Sequence, residues 1–212
     1  MSTLQEGTSA APFAAMQEVR PVVLEGAHVR LEPLSLEHLD ALCVVGLDAE
    51  LWRLQVSNVR TPGDMRAYVE RALREREEGR SLPFATVHRA SGRVAGSTRF
   101  ANIVPEHRRL EIGWTWLGRE FQRTAVNTEA KYLMLRHAFE TLGAFRVELK
   151  TDALNAQSRA AILRIGAREE GTLRKHTITF GGRARDTVYF GITDDDWPAV
   201  RARLEEMLAR PR

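Results

Sequence analysis

The chain of 212 residues is poor in cysteine and in long apolar runs. Its one cysteine, Cys43, cannot form an internal disulfide, and its place in the apolar run 41–45 favours a buried, unreactive thiol. No run approaches the roughly 20 apolar residues of a transmembrane helix, and residues 1–20 do not have the pattern of a secretory signal. These absences argue against a disulfide scaffold. They favour a cytoplasmic protein without a membrane partner.

Lysine is also scarce. It occurs only at positions 131, 150 and 175, so nearly all of the 31 basic side chains are arginine, set against 28 acidic ones. A net charge of +3 is too balanced to indicate a nucleic-acid binder. The six histidines do not follow a metal-ligand spacing and have no cysteine partner. We therefore expect neither a direct nucleic-acid partner nor a metal.

The patterning predicts a flexible leader at 1–20 and a single domain at 21–212. Strands alternate apolar and polar residues, and helices show capping residues and apolar faces. The predicted strands cover 28–33, 84–87, 94–104, 110–117 and 145–149, with a hairpin at 172–192. The predicted helices start near 35 and cover 61–79, 128–142, 155–165 and 195–209. This order predicts an α+β fold.

One segment has the form of an anion site. The strand 110–117 leads through a loop into the helix predicted from Thr128. Amide groups at a helix start have no partner within the helix and favour an anion such as a diphosphate. An ordinary connection, with Asn127 or Thr128 as the helix cap, is the alternative.

The residues of this loop resemble a known family. Gln122-Arg123-Thr124-Ala125-Val126-Asn127 is similar to the Gln/Arg-x-x-Gly-x-Gly/Ala loop of the GNAT superfamily of acyl-CoA-dependent N-acyltransferases. Ala125 stands where the family has glycine, which would strain the backbone if that position needs a positive φ. A second segment, Asn155-Ala156-Gln157-Ser158, resembles the family's Asn-x-x-Ser segment. The likeness is nearest to the RimJ/RimL-type acetyltransferases of ribosomal proteins.

The resemblance implies a GNAT fold, with a mixed, mostly antiparallel central sheet and helices on both faces. It also implies acetyl-CoA as cosubstrate and no metal. The implied coenzyme-binding residues are Trp116, Leu117, Gln122, Arg123, Thr124, Ala125, Asn127, Thr128, Asn155 and Ser158. A backbone amide near Trp116 or Leu117 would bind the oxyanion.

Two residues are candidates for catalysis. Glu111 interrupts an apolar strand, where a carboxylate is costly unless it is paired or lies at a cleft. It is our candidate general base, and a structural ion pair with Arg99, Arg108 or Arg109 is the alternative. The resemblance implies that Ser158 returns a proton to the leaving thiolate. Asn155 and Ser158 can also be simple capping and surface residues of their helix.

The function implied is transfer of an acetyl group from acetyl-CoA to a primary amine, with a protein N-terminal α-amine as the expected acceptor. A small-molecule amine is the alternative within the same chemistry. A non-catalytic CoA-binding sensor, or a scaffold that has lost the ligand, would belong to another class. The sequence leaves the oligomeric state open, a dimer included.

Overall fold

The computed structural model describes residues 15–210, which form one eight-stranded sheet with helices on both faces. The strands are β1 (Leu24–Glu25), β2 (Val29–Pro33), β3 (Ser81–His88), β4 (Arg93–Val104), β5 (Arg109–Leu117), β6 (Arg146–Asp152), β7 (Arg168–Ile178) and β8 (Ala184–Thr193). Their order across the sheet is β1-β2-β3-β4-β5-β6-β8-β7. All neighbours are antiparallel except β5 and β6.

The parallel pair β5 and β6 is joined over a short stretch only. Arg109–Glu111 pairs with Arg146–Glu148, and the pairing then stops. β6 continues along β8 as far as Asp152, while β5 continues along β4 as far as Leu117. Beyond Glu111 of β5 and Glu148 of β6, the edges of these strands that face each other therefore have no strand partner. This gap lies in the middle of the sheet.

The helices are α1 (Leu39–Gly46), α2 (Pro62–Glu77), α3 (Ala125–Arg136), α4 (Ala156–Arg164) and α5 (Trp197–Ala209). The start of α2 follows the sequence prediction. Thr61 and Asp64 form a reciprocal capping box, with Pro62 at the first helical position. A single 3-10 turn at Leu36–His38 precedes α1, where the sequence predicts continuous helix.

The two faces of the sheet carry separate cores. One core joins α3 and α5 to the sheet through residues such as Leu133, Val147 and Leu204. The other joins α1 and α2 around Trp52 and Trp116. The predicted fold class, a mixed and mostly antiparallel sheet with helices on both faces, is confirmed.

Among the boundaries that differ from the sequence prediction are those of α3 and of the start of the packed chain. α3 starts at Ala125, three residues before the predicted start, and ends at Arg136, where a π-helical turn takes over. Residues 1–14 of the predicted leader lie outside the described residues. Met16 is buried in the core and the Gln17 amide donates to the Leu142 carbonyl, so the packed chain reaches back beyond the predicted start. Within residues 15–210, no helix is long and apolar enough to cross a membrane.

Candidate active site

A cleft of about 1370 Å³ opens where β5 and β6 stop pairing. Its walls come from β5, from the loop 122–124, from the first turns of α3 and α4, and from segment 50–56 between α1 and α2. β6 and β8 form its floor. A large concave site with several convergent polar groups is typical of a ligand-binding site.

A bulge in β5 shapes the wall of this cleft. Gly113 pairs with Arg99 and Trp116 with Ser97, so β5 has one residue more than β4 between these pairs, and Trp114 has a φ of 48°. The Trp116 side chain is buried against Trp52 and donates from Nε1 to the Tyr68 hydroxyl at 3.3 Å. Trp116 belongs to the core on the α1 and α2 face of the sheet. Its side chain is committed to the core, so its backbone is the part available to a ligand.

In the loop after β5, the residue with a positive φ is not the one that the sequence suggested. Arg123, with a φ of 60°, takes the left-handed conformation, whereas Ala125 is the first residue of α3. The strain considered for Ala125 is therefore absent, because its backbone is helical. Gln122 fixes the loop by donating to the Leu117 carbonyl at 3.0 Å.

The start of α3 fits a diphosphate. Thr124 is the N-cap and accepts from the Val126 amide at 3.3 Å, which corrects the prediction of Asn127 or Thr128 as the cap. The amides of Ala125 and Asn127 have no carbonyl to bind within the helix. The first turn carries no acidic side chain that would repel an anion.

Thr128 has another role than the one inferred for it. It lies inside α3 and is fully buried. Its hydroxyl accepts from the Arg164 guanidinium at 3.1 Å, which ties α3 to α4. Thr128 is also absent from the lining of the cleft, so a direct contact with the coenzyme is not part of this geometry.

Asn155 and Ser158 lie at the start of α4, on the opposite side of the cleft. The Asn155 side chain caps the helix by accepting from the Ser158 amide at 3.0 Å, as predicted. Ser158 is half-buried, and both residues line the cleft. The Gln157 side chain donates to that of Gln122 at 3.2 Å, so the two walls meet near the loop.

Glu111 is buried at the point where β5 and β6 part, and it lines the cleft. Its Oε2 accepts from Asn102 Nδ2 at 2.5 Å and from Lys150 Nζ at 2.8 Å. The alternative of an ion pair is therefore present, but its partner is Lys150 and none of the arginines considered above. Arg99 pairs with Glu75, Arg109 pairs with Glu148, and Arg108 donates to the Gly143 carbonyl. Both recorded bonds use Oε2, which leaves Oε1 with accepting capacity for an ammonium group.

Lys131 is a buried base in the same cleft, which the sequence reasoning missed. It extends from α3 and donates from Nζ to the Thr115 hydroxyl at 2.6 Å. Burial lowers its pKa from the usual 10.5 to about 7, and the nearby charge of Glu111 acts in the opposite direction. A large part of the Lys131 population is therefore neutral at physiological pH.

The floor of the cleft is polar and was also missed. We call Lys150, Asp152, Arg185 and Thr187 the acceptor floor, since they line the cleft from β6 and β8. The sequence signal for this floor was the alternation within β6. Val147 and Leu149 face the core, whereas the residues that alternate with them are charged. No group of three His, Cys, Asp or Glu residues is placed to hold a metal ion in the described chain.

Comparison with known proteins identifies the family. The model of an acetyltransferase (GNAT) domain matches residues 28–168, and the chain therefore belongs to the GNAT acetyltransferase family. Among solved structures, a GCN5-related N-acetyltransferase from Brucella melitensis has a TM-score of 0.86 and 31% identity, over 93% of this chain and 90% of its own.

Two further proteins are similar to this chain. The Bacillus subtilis protein named "Putative ribosomal N-acetyltransferase YdaF" is 32% identical over 106 residues, which are 50% of this chain and 57% of YdaF. The match thus spans little more than half of that relative. The structure of "Mycobacterium smegmatis RimJ in complex with CoA-disulfide" is similar with a TM-score of 0.72, over 92% of this chain and 93% of its own. At 22% identity, this last likeness concerns the fold alone.

Proposed function

We propose that the protein transfers an acetyl group from acetyl-CoA to a primary amine, in the cleft between β5 and β6. The observation that carries this proposal is the meeting of three features in one cavity. These are the free amides at the start of α3, the buried carboxylate of Glu111 and the hydroxyl of Ser158. Glu111 keeps accepting capacity on Oε1 although its Oε2 is paired, so the carboxylate can still serve an amine in the cavity.

The donor end of the cleft would hold the coenzyme. The diphosphate would bind the amides of Ala125 and Asn127 within the loop from Gln122 to Asn127, beside Arg123 and Thr124. The unpaired edge of β5 at Trp116 and Leu117 offers backbone groups to the pantetheine arm, as an additional strand would. Asn155 and Ser158 would complete the opposite wall. When bound, acetyl-CoA supplies the activated acetyl group as a thioester.

The chain's own residues would manage the protons. A protonated amine cannot attack, so Glu111 would accept its proton, directly or through water. The nitrogen then bonds to the thioester carbonyl carbon while a backbone amide near Trp116 or Leu117 stabilises the oxyanion. The carbon–sulfur bond breaks as the adduct collapses. Ser158 would donate a proton to the leaving thiolate and receive in its place the second proton of the nitrogen, directly or through water, so that the products are the amide and the free thiol. An α-amine, with a pKa near ~8, needs less help from the base than a lysine near ~10.4.

The acceptor we propose is a protein N-terminal α-amine. The name of YdaF and the RimJ/RimL-like loop both support a protein substrate of this kind. Segment 50–56 and the acceptor floor line the same cleft, where an extended chain end would bind. A cytoplasmic site of action would follow from such an acceptor, because newly made proteins expose their N-termini there.

The test is CoA release with a panel of amines, followed by mass spectrometry of the products. We expect acetyl-CoA-dependent modification of a peptide at its α-amine and none of the same peptide with a blocked N-terminus and a free lysine. Transfer to polyamines or antibiotics alone would replace the protein acceptor by a small molecule. Saturable binding of acetyl-CoA without transfer to any amine would make the protein a sensor.

A further inference from the structure

Two buried polar groups on the acceptor floor have no hydrogen-bonding partner. Among the described residues, neither Nε of Arg185 nor the hydroxyl oxygen of Thr187 is bonded. Arg185 is 8% exposed and Thr187 is 2% exposed, and both line the cleft. A buried donor left without a partner is costly, so each such group needs an explanation.

The charges of the floor leave one cation in excess. Glu111 is paired with Lys150 at 2.8 Å, and Asp152 is paired with Arg183. Arg185 has no ion pair with any described residue. Burial lowers the pKa of its guanidinium, while Asp152 and Glu111 act against that effect. The guanidinium stays charged in any protein, so the cavity holds a buried positive charge with which no described carboxylate forms a direct ion pair.

The two groups can serve the same ligand. Arg185 and Thr187 are two residues apart on β8 and therefore face the same side of the sheet. A guanidinium and a neighbouring hydroxyl both donate hydrogen bonds, and a planar carboxylate accepts from both. A phosphate would bring a second negative charge, for which this floor has no free cation.

We propose that the acceptor bears a carboxylate close to its amine, and that this carboxylate binds Arg185 and Thr187 while the amine faces Glu111. The inference rests on the proposed function, since it names the class of amine that the cleft accepts. The carboxylate has two sources. It is either an acidic side chain next to the N-terminal residue of a protein, or the α-carboxylate of a free amino acid.

The experiment compares matched pairs of acceptors with the wild-type protein. One pair consists of peptides that differ only in aspartate or asparagine at the second position. The other consists of an amino acid and its amide. We expect kcat/KM to be about 10- to 100-fold higher for the acid of one pair, since hydrogen bonds to charged groups have that strength. The pair that shows the preference identifies the source.

Variants test whether Arg185 is responsible for the preference for the acid. Arg185→Gln should lower kcat/KM for the acid more than for the neutral acceptor, and so bring the ratio close to one. Arg185→Lys, which keeps the charge but lacks Nε, should give an intermediate ratio. Arg174→Gln is the matched control, because Arg174 is an exposed arginine of the neighbouring strand β7, and it should keep the wild-type ratio.

A wild-type ratio near one in both pairs, with normal transfer to the neutral acceptors, would overturn the inference and leave the proposed function intact. If no amine is acetylated, the proposed function fails instead. In that case, calorimetry measures how the same acceptor pairs bind to the protein saturated with CoA, and this tests whether Arg185 binds a carboxylate. Tighter binding of the acid supports the carboxylate site, and equal affinity for acid and amide refutes it.

Discussion

Replacement of Lys131 by methionine should change how stability depends on pH. Burial lowers the Lys131 pKa from 10.5 to about 7 in the folded protein, whereas the unfolded chain keeps the usual value. Between these two pH values the unfolded chain holds one proton more, so the free energy of unfolding rises with pH across this window. At 1.36 kcal/mol per pKa unit, the full cost of the buried lysine is about 5 kcal/mol below pH 7.

The effect of Lys131 on the free energy of unfolding is measurable over a narrow pH range. From pH 7 to pH 9 the contribution of Lys131 should raise the wild-type free energy of unfolding by about 2 kcal/mol, and Lys131→Met should lack this rise. Urea unfolding followed by circular dichroism at both pH values measures it, provided that the m-values agree. Lys175→Met, at an exposed lysine of β7, is the control and should keep the rise. Parallel curves for the wild type and Lys131→Met would refute the reasoning.

Three other substitutions test the roles of single residues. Glu111→Gln should lower kcat/KM by about 10²- to 10⁴-fold near pH 6 and less toward pH 8, where an α-amine is already partly neutral; full activity of this variant at pH 6 would exclude Glu111 as the base. Ser158→Ala should lower kcat with unchanged affinity for acetyl-CoA, since its hydroxyl acts only as charge develops on sulfur; equal turnover would leave it a surface residue. Asn155→Ala should destabilise the protein by about 1 kcal/mol in urea unfolding through loss of the cap, and should weaken acetyl-CoA binding; an unchanged midpoint would contradict the capping role.

The sequence was most informative where local patterns determine structure. The helix predicted from residue 61 begins with the capping box of Thr61 and Asp64, and the cap considered for Asn155 is present; both depend on residues a few positions apart. The start of α3 was misplaced because Thr124, Asn127 and Thr128 are all acceptable caps, and only the path of the chain from β5 selects among them. The left-handed residue Arg123 could not be foreseen, since arginine has no preference for that conformation.

The site was only partly predictable for a related reason. Glu111 is visible in the sequence as a carboxylate within an apolar strand, but its partner Lys150 lies on another strand, 39 positions further along the chain. Lys131 reads as an ordinary helix residue until the packing of α3 on the sheet buries it. Arg185 is one arginine among many in the sequence. Only the tertiary structure shows it to be buried, with Nε lacking a hydrogen-bonding partner among the described residues.

The most direct test of the central claim is calorimetric titration with acetyl-CoA, together with CoA release, for the wild type, Ala125→Asp and Ala125→Asn. An acidic residue at the first position of α3 favours the helix but repels a diphosphate, so Ala125→Asp should keep its melting temperature and lose both binding and transfer. Ala125→Asn, of similar size and without the charge, should retain more of both. Unchanged affinity in Ala125→Asp, or no binding of millimolar acetyl-CoA by the wild type, would contradict the account.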